Sequence, residues 1–313
     1  MSKVMATGAT GFVGSGLVKR LTGRGFQIVA PVRSQAASDI GPVVGDIDGH
    51  TDWRGTLQNV NAVVHSAARA HVMKDGATDP LAEFRKVNVE GTLNLARQAV
   101  EAGVKRFVYL SSIKVNGEQT SKGASFSEED TPAPEDSYGI SKMEAEQALR
   151  ELSRDSDMAV VIVRPPLVYG PGVKGNFAKI IKLVDKGLPL PLGALHNKRS
   201  LVALDNLLDL IATCIDHPAA ANQVFLAGDG QDISTTELLQ GVGQAMGKPV
   251  RLVPVPTGML MFGASLMGKK AVAQRLLGSL QVDISKARNL LGWEPPISVE
   301  EGLRRCFISE NEC

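Results

Sequence analysis

The chain has 313 residues, 43% of them apolar and 21% charged, with a formal net charge of +1. That is an ordinary globular mix, long enough to bury a large core in one domain or two joined ones. There is no basic field to attract nucleic acid, and Cys214, Cys306 and Cys313 have no metal-ligand spacing, which excludes a metal centre or disulfide framework built on them and fits a reducing cytoplasm.

In chain order, Val4-Met5-Ala6 is a short apolar run that leads straight into a glycine-rich turn, Gly8-Ala9-Thr10-Gly11-Phe12-Val13-Gly14, with no room before it for a cleavable leader. Apolar residues at helical spacing predict a helix over 12–21. Strands are expected at 26–30, at 43–44 closed by Gly45-Asp46, and at 62–66, whose continuous apolar run suits a buried parallel strand. A long helix over 81–100 should point Leu93 and Leu95 inward, and a strand at 106–110 ends in Ser111-Ser112. A polar surface loop (117–134), a helix (138–152) and a strand (160–163) follow. Strands alternating with helices of this length predict an α/β fold, a doubly wound parallel (Rossmann) sheet.

After Arg164 the texture changes, with Pro165-Pro166 and Gly170-Pro171-Gly172 followed by helical patterns at 177–184, 206–215, 236–246 and 284–291. The expected division is a dinucleotide-binding domain over 1–165 and a smaller substrate lobe over 166–313, with segments of the lobe returning to the first domain. The apolar stretch 255–267 is too short for the ~20 residues that cross a bilayer. It predicts a helix packed at the junction of the two parts, with a membrane-surface contact as the lesser alternative.

Ligands of such sheets bind beyond the carboxyl ends of the strands, which gathers the glycine turn, Asp46, Ala67-Ala68 and Ser111-Ser112 along one crevice. Gly8, Gly11 and Gly14 let the backbone approach a pyrophosphate, and the helix starting at Phe12 and Val13 aims its free N–H groups at it. No carboxylate follows the second strand until Asp39, whereas Arg33 is placed to meet a ribose 2′-phosphate, so NADP is slightly favoured over NAD. Asp46, beside Ile47, is a candidate acceptor for the adenine amino group.

Tyr138 and Lys142 stand at i and i+4 on one helix face. A nearby ammonium favours the phenolate, drawing the tyrosine down from its usual ~10 towards a useful general base. Ser112 would hold the reacting oxygen, Ser111 reads as structural, and His65, on an apolar strand, reads as a satisfied core histidine.

Gly8/Gly11/Gly14, Ser112, Tyr138 and Lys142 together resemble the extended short-chain dehydrogenase/reductase family. Val87-Asn88-Val89-Glu90-Gly91-Thr92, Leu110-Ser111-Ser112, Arg164-Pro165-Pro166-Leu167-Val168-Tyr169-Gly170 and Val282-Asp283-Ile284-Ser285-Lys286 with Leu291-Gly292-Trp293 are similar to its UDP-glucose 4-epimerase branch. The resemblance spans the chain and implies a UDP-sugar substrate and a homodimer through the helices near 81–102 and 138–152. It implies cofactor contacts at Ala67, Ala68, Asn88 and Pro165, besides Tyr138 and Lys142. It further implies substrate contacts at Asn176, Arg199, Arg275 and Asp283, the last a ribose ligand or a helix cap. Lys114-Val115-Asn116 stands where the epimerases commonly have Thr-Val-Tyr, so Lys114 would alter the sugar pocket. Together with Arg33 this resemblance puts reduction of a UDP-4-keto-6-deoxy-amino sugar first. UDP-hexose 4-epimerisation and a cofactor-binding protein without turnover are the alternatives.

Overall fold

The computed structural model describes residues 2–70, 78–268 and 270–308. Its centre is a six-stranded parallel sheet. The strands are β1 (Lys3–Thr7), β2 (Gln27–Val29), β3 (Ala62–His65), β4 (Arg106–Leu110), β5 (Ala159–Arg164) and, after the short β6 (Leu167–Tyr169) and β7 (Leu201–Ala203), β8 (Val224–Leu226). The order is β2-β1-β3-β4-β5-β8, so the chain reverses direction across the sheet between β1 and β3. β6 and β7 form a separate parallel pair.

Alternate side chains of each strand reach opposite faces, and two cores result. Val4, Ala6, Val64, Val108, Val161 and Val163 point to one face, where Leu17 and Leu21 of α1 (Phe12–Gly23) meet them. Met5, Val63, Phe107, Tyr109, Val160 and Ile162 point to the other. There α2 (Pro80–Arg85) and α3 (Thr92–Glu101) are joined by a π turn over Lys86–Gly91, and α4 (Ser137–Arg154) lies beside them. Leu95 is fully buried in this core, whereas Leu93 is only half-buried. The single helix expected over 81–100 is thus one continuous helical run with a π turn at its middle. Asn88 sits in that turn.

The later chain adds α5 (Gly175–Asp185), α6 (Leu204–Asp216), α7 (Thr235–Ala245), α8 (Thr257–Leu266), α9 (Lys270–Leu277), α10 (Ser285–Leu291) and α11 (Val299–Arg305). α6 and Trp293 close the first core, α6 through Leu207, Leu208 and Ile211. A third core joins Phe177 and Val184 of α5, Leu238, Leu239 and Val242 of α7, and Val299 and Leu303 of α11 around Tyr169 and Leu201. One expectation fails. Val43-Val44 is no strand but a single bridge, Val32 to Val43, because Gly41 already approaches the Ala30 carbonyl and the chain turns away at Gly45. α8 packs against the third core through half-buried Leu260, while none of its residues is fully buried.

Two buried polar arrangements hold the carboxyl edge of the sheet. His65 Nδ1 lies 2.7 Å from Thr7 Oγ1 and Nε2 lies 3.0 Å from Thr92 Oγ1, tying β3 to β1 and α3 as a satisfied core histidine. Glu146 of α4 meets Arg164 of β5 through two bonds, 2.9 and 2.5 Å, with both side chains almost inaccessible, and also accepts from Ser111 Oγ at 2.5 Å. Arg164 Nη1 donates to Asn116 Oδ1 at 2.9 Å.

Arg164→Met should cost about 3–5 kcal/mol, because it strands a buried carboxylate. The urea midpoint measures this, and a loss below about 1 kcal/mol would show that the pair contributes little. For His65, burial, reinforced by Lys142, pushes the ring from 6.5 down to about 3, so it stays neutral in the fold. The unfolded chain then binds the extra proton between those values: the contribution is whole above pH 6.5 and shrinks by roughly 1.4 kcal/mol per unit as pH falls towards 3. His65→Asn should flatten that acid limb in denaturant titrations; parallel limbs would assign the acid sensitivity elsewhere.

Candidate active site

β1 ends at Thr7 and the chain turns at Gly8, whose φ of +77° favours glycine. A Cβ at Gly14 would lie 2.0 Å from the Gly8 carbonyl oxygen, so α1 can pack this close to the turn only without a side chain there. A Cβ at Gly8 would lie 2.9 Å from Ala67 N and Ser66 Oγ, which draws the segment after β3 against the turn. α1 begins after Gly11 with no side-chain cap and no acidic residue in its first turn, so the N–H groups of Phe12, Val13 and Gly14 face the crevice end of β1 without a carboxylate of their own. A close, uncapped, carboxylate-free helix start at the switch point of the sheet fits a dinucleotide diphosphate.

The neighbouring segments converge on this turn. Ala67 N donates to Thr7 Oγ1 at 3.3 Å, leaving Ala67 and Ala68 half-buried beside the glycines. Asn88 is buried and holds Arg69 through both backbone groups, accepting from its N at 2.8 Å and donating to its O at 3.1 Å. Its amide also donates to Ser141 of α4 at 3.0 Å. The π turn therefore aims one amide at both the β3 loop and the helix that carries Tyr138. Pro165, buried just past β5, accepts from Ile113 N at 3.0 Å and so anchors the turn after Ser112. Arg33 and Asp46 lie 3.7 Å apart at the β2 end of the crevice, both well exposed, and Ile47 packs into the second core.

Ser112, Tyr138 and Lys142 are brought together at the ends of β4 and α4. Ser112 opens a 3-10 turn, its Oγ accepting from Lys114 N at 3.2 Å, and stands near enough to the Tyr138 hydroxyl to favour its ionised form. Asp136 caps α4 through Gly139 N at 2.8 Å, which fixes where the helix begins. The Tyr138 ring meets Phe84 edge-on at 6.0 Å between centroids. Lys142 is buried, donates to the Leu110 carbonyl at 2.8 Å, and holds its ammonium 4.5 Å over the Tyr109 ring and 5.9 Å from the centre of Tyr138.

The electrostatics differ from the sequence expectation. Burial, with Asp136 adding to it, pushes the Tyr138 phenol up to about 12, with the nearby Ser112 hydroxyl opposing. Burial draws Lys142 down to about 7, with Glu146 opposing. Desolvation therefore outweighs the Tyr–Lys attraction that the spacing suggested. A lysine poised near neutrality, one helical turn from a phenol, is still an arrangement for acid–base work.

Of the expected substrate contacts, Lys114 pairs with Asp136 and with Glu118 at 2.9 Å, beside the Tyr138 helix. Asn176 lies exposed at the start of α5. Arg199 is largely enclosed, burial lowering it, and its Nη1 donates to the Gly278 carbonyl at 3.1 Å. Asp283 accepts from Ser285 N at 2.8 Å in a turn just before α10, whose N-cap is Ile284, and lines a cavity of about 110 Å³ with Ser200, Asp232 and Arg288. Arg275 belongs to α9, and its side chain lies outside the described residues. Sequence reasoning missed the Glu146–Arg164–Ser111 linkage. Its only signal was a Glu one turn past Lys142 and an Arg closing an apolar strand.

Residues 4–228 match the family model described as the NAD dependent epimerase/dehydratase family. The chain is 53% identical over 315 residues to a UDP-glucose 4-epimerase of Vibrio cholerae, covering 98% of this chain and 96% of that one. In fold it is similar to the UDP-N-acetylglucosamine 4-epimerase of Bacillus cereus, with a TM-score of 0.79, 22% identity and 97% of each chain covered. It is also similar to the UDP-glucuronic acid 4-epimerase of Bacillus cereus in complex with NAD, with a TM-score of 0.76, 21% identity and 97% and 96% covered. The chain belongs to the NAD dependent epimerase/dehydratase family, among the extended short-chain dehydrogenase/reductase enzymes that its motifs resemble.

Proposed function

We propose that this protein is a nucleotide-sugar 4-epimerase that acts at C4 of a UDP-hexose. The observation that carries the reading is the meeting of Ser112, Tyr138 and Lys142 at the carboxyl edge of the sheet, where the glycine turn fits a dinucleotide. The name of the Vibrio cholerae relative supports epimerisation over the ketoreduction that the sequence put first.

A nicotinamide cofactor, which the glycine turn at Gly8, Gly11 and Gly14 would hold, would supply reversible hydride acceptance at C4 and, when oxidised, a positive charge that favours the phenolate. Tyr138 takes the proton from O4 and gives it back once the 4-keto sugar has turned its other face. Ser112 holds O4 within reach of that hydroxyl. Lys142, charged below its pKa of about 7, favours the phenolate when Tyr138 must act as base. In this proposal Asn176, Arg199 and Arg275 meet the diphosphate, which the planar guanidinium fork suits, Asp283 meets a ribose hydroxyl, and Lys114 faces the sugar. The dinucleotide belongs to residues 1–165 and the UDP-sugar to 166–313, within a cytoplasmic homodimer through α3 and α4, which lie side by side.

A second reading, reduction of a UDP-4-keto-6-deoxy-amino sugar with NADPH, is favoured by Arg33, an exposed guanidinium at the end of β2 where NAD sites usually place an acid.

With UDP-glucose or UDP-N-acetylglucosamine and catalytic NAD, the 4-epimer should accumulate without net change in reduced cofactor. Stoichiometric loss of NADPH with a 4-keto sugar, and no epimer, would instead establish the reductase. Tyr138→Phe should lower turnover about 10²–10⁴-fold while leaving the NAD dissociation constant nearly unchanged; most of the turnover surviving would remove Tyr138 from its role. Arg33→Ala should weaken NADPH binding roughly tenfold and leave NADH almost untouched. Equal effects on the two cofactors would take Arg33 out of 2′-phosphate recognition.

A further inference from the structure

α8 has the sequence Thr-Gly-Met-Leu-Met-Phe-Gly-Ala-Ser-Leu and carries no charged residue on any side. A helix without a polar face is normally enclosed by its own chain. α8 is not: Met259, Phe262 and Leu266 are exposed by 66%, 69% and 74%, and Met267 just beyond by 66%. Exposed Val253 lies just before α8 in the chain, and exposed Leu188 just before a segment bonded to 251–253 (Leu190 N to Arg251 O and Val253 N to Leu190 O, each 2.8 Å). Scattered exposed apolar residues mean little, whereas a run of large ones on adjoining segments marks a contact surface.

The charge of these segments indicates what the surface meets. Residues 172–197 hold Lys174, Lys179, Lys182 and Lys186 against a single carboxylate, Asp185, which already pairs with Lys248. Residues 238–282 hold five cations, Lys248, Arg251, Lys269, Lys270 and Arg275, and no Asp or Glu. The whole chain is only +1, so this excess of cations along these segments is balanced by acidic residues elsewhere in the sequence. A second copy docked face to face would bring the same cations against themselves across the seam. Anionic headgroups would neutralise them. At ten residues α8 is about 15 Å long, too short for a bilayer core of ~30 Å, and no helix among the described residues is long and apolar enough to cross one.

We propose that α8 lies flat in the headgroup layer of an anionic lipid bilayer, with Phe262 and Leu266 in the acyl boundary and the lysines of α5 and Arg251 over the phosphates, so that the protein works at a membrane surface. The full chain, mixed with phosphatidylcholine vesicles with or without phosphatidylglycerol and sedimented, tests this without measuring turnover, so the result is independent of the epimerase reading. Binding should require phosphatidylglycerol and weaken as salt is raised. Phe262→Glu with Leu266→Glu should lower the partition coefficient roughly tenfold or more, and Lys182→Glu or Arg251→Glu roughly fivefold each. NAD binding, which none of these exposed positions touches, confirms that the variants fold. The proposal is overturned by failure to sediment with phosphatidylglycerol vesicles, by equal binding to phosphatidylcholine alone, by unchanged binding of the Phe262/Leu266 variant, or by a solution dimer that this variant dissociates.

Discussion

The ion pair between Glu146 and Arg164 is the constraint on which the site depends. It joins α4 to the carboxyl end of β5, and through Ser111 Oγ it also holds the end of β4. Ser112 and Tyr138 ride on the elements so joined, separated by a polar loop that could not set their distance alone. A buried pair of this kind adds little net stability compared with an apolar replacement of equal volume. Its value lies in geometry, because a guanidinium fork fixes two oxygens in plane and tolerates little displacement.

The same edge shows why parallel sheets place chemistry at strand ends. The strands are buried on both faces, so their side chains are used up in packing, and only the loops beyond them have polar groups to spare. The reversal between β1 and β3 opens a gap between loops that leave in opposite directions, and Gly8, Ala67 and Asn88 border it. The π turn belongs to this arrangement. One extra residue in the helical run lets Asn88 turn its amide to Arg69 and Ser141 while the faces before and after it stay on the core.

The second half of the chain has a divided character. α6 and β8 return to the sheet and complete its first core, whereas α5, α7 and α11 build a core of their own around Tyr169 and Leu201. α8 gives that third core half-buried Leu260 but leaves Met259, Phe262 and Leu266 exposed, so the fold covers only part of its apolar surface.

Read alone, the sequence determined the parallel sheet, because continuous apolar runs alternating with helix-length segments permit few other layers. It also determined the glycine turn and the Ser112, Tyr138 and Lys142 set, because each depends on residue type at short spacing. Tertiary structure decided what depends on partners far along the chain. Val43-Val44 looks like a strand in isolation but finds one bridging partner. The spacing of Tyr138 and Lys142 suggested a lowered phenol, yet enclosure by Phe84, Tyr109 and the sheet end raises it, since desolvation is a property of all neighbours together. The Glu146–Arg164 linkage spans two elements, and the exposure of α8 follows from what the other helices fill. An apolar helix reads the same in sequence whether the chain covers it or leaves it bare.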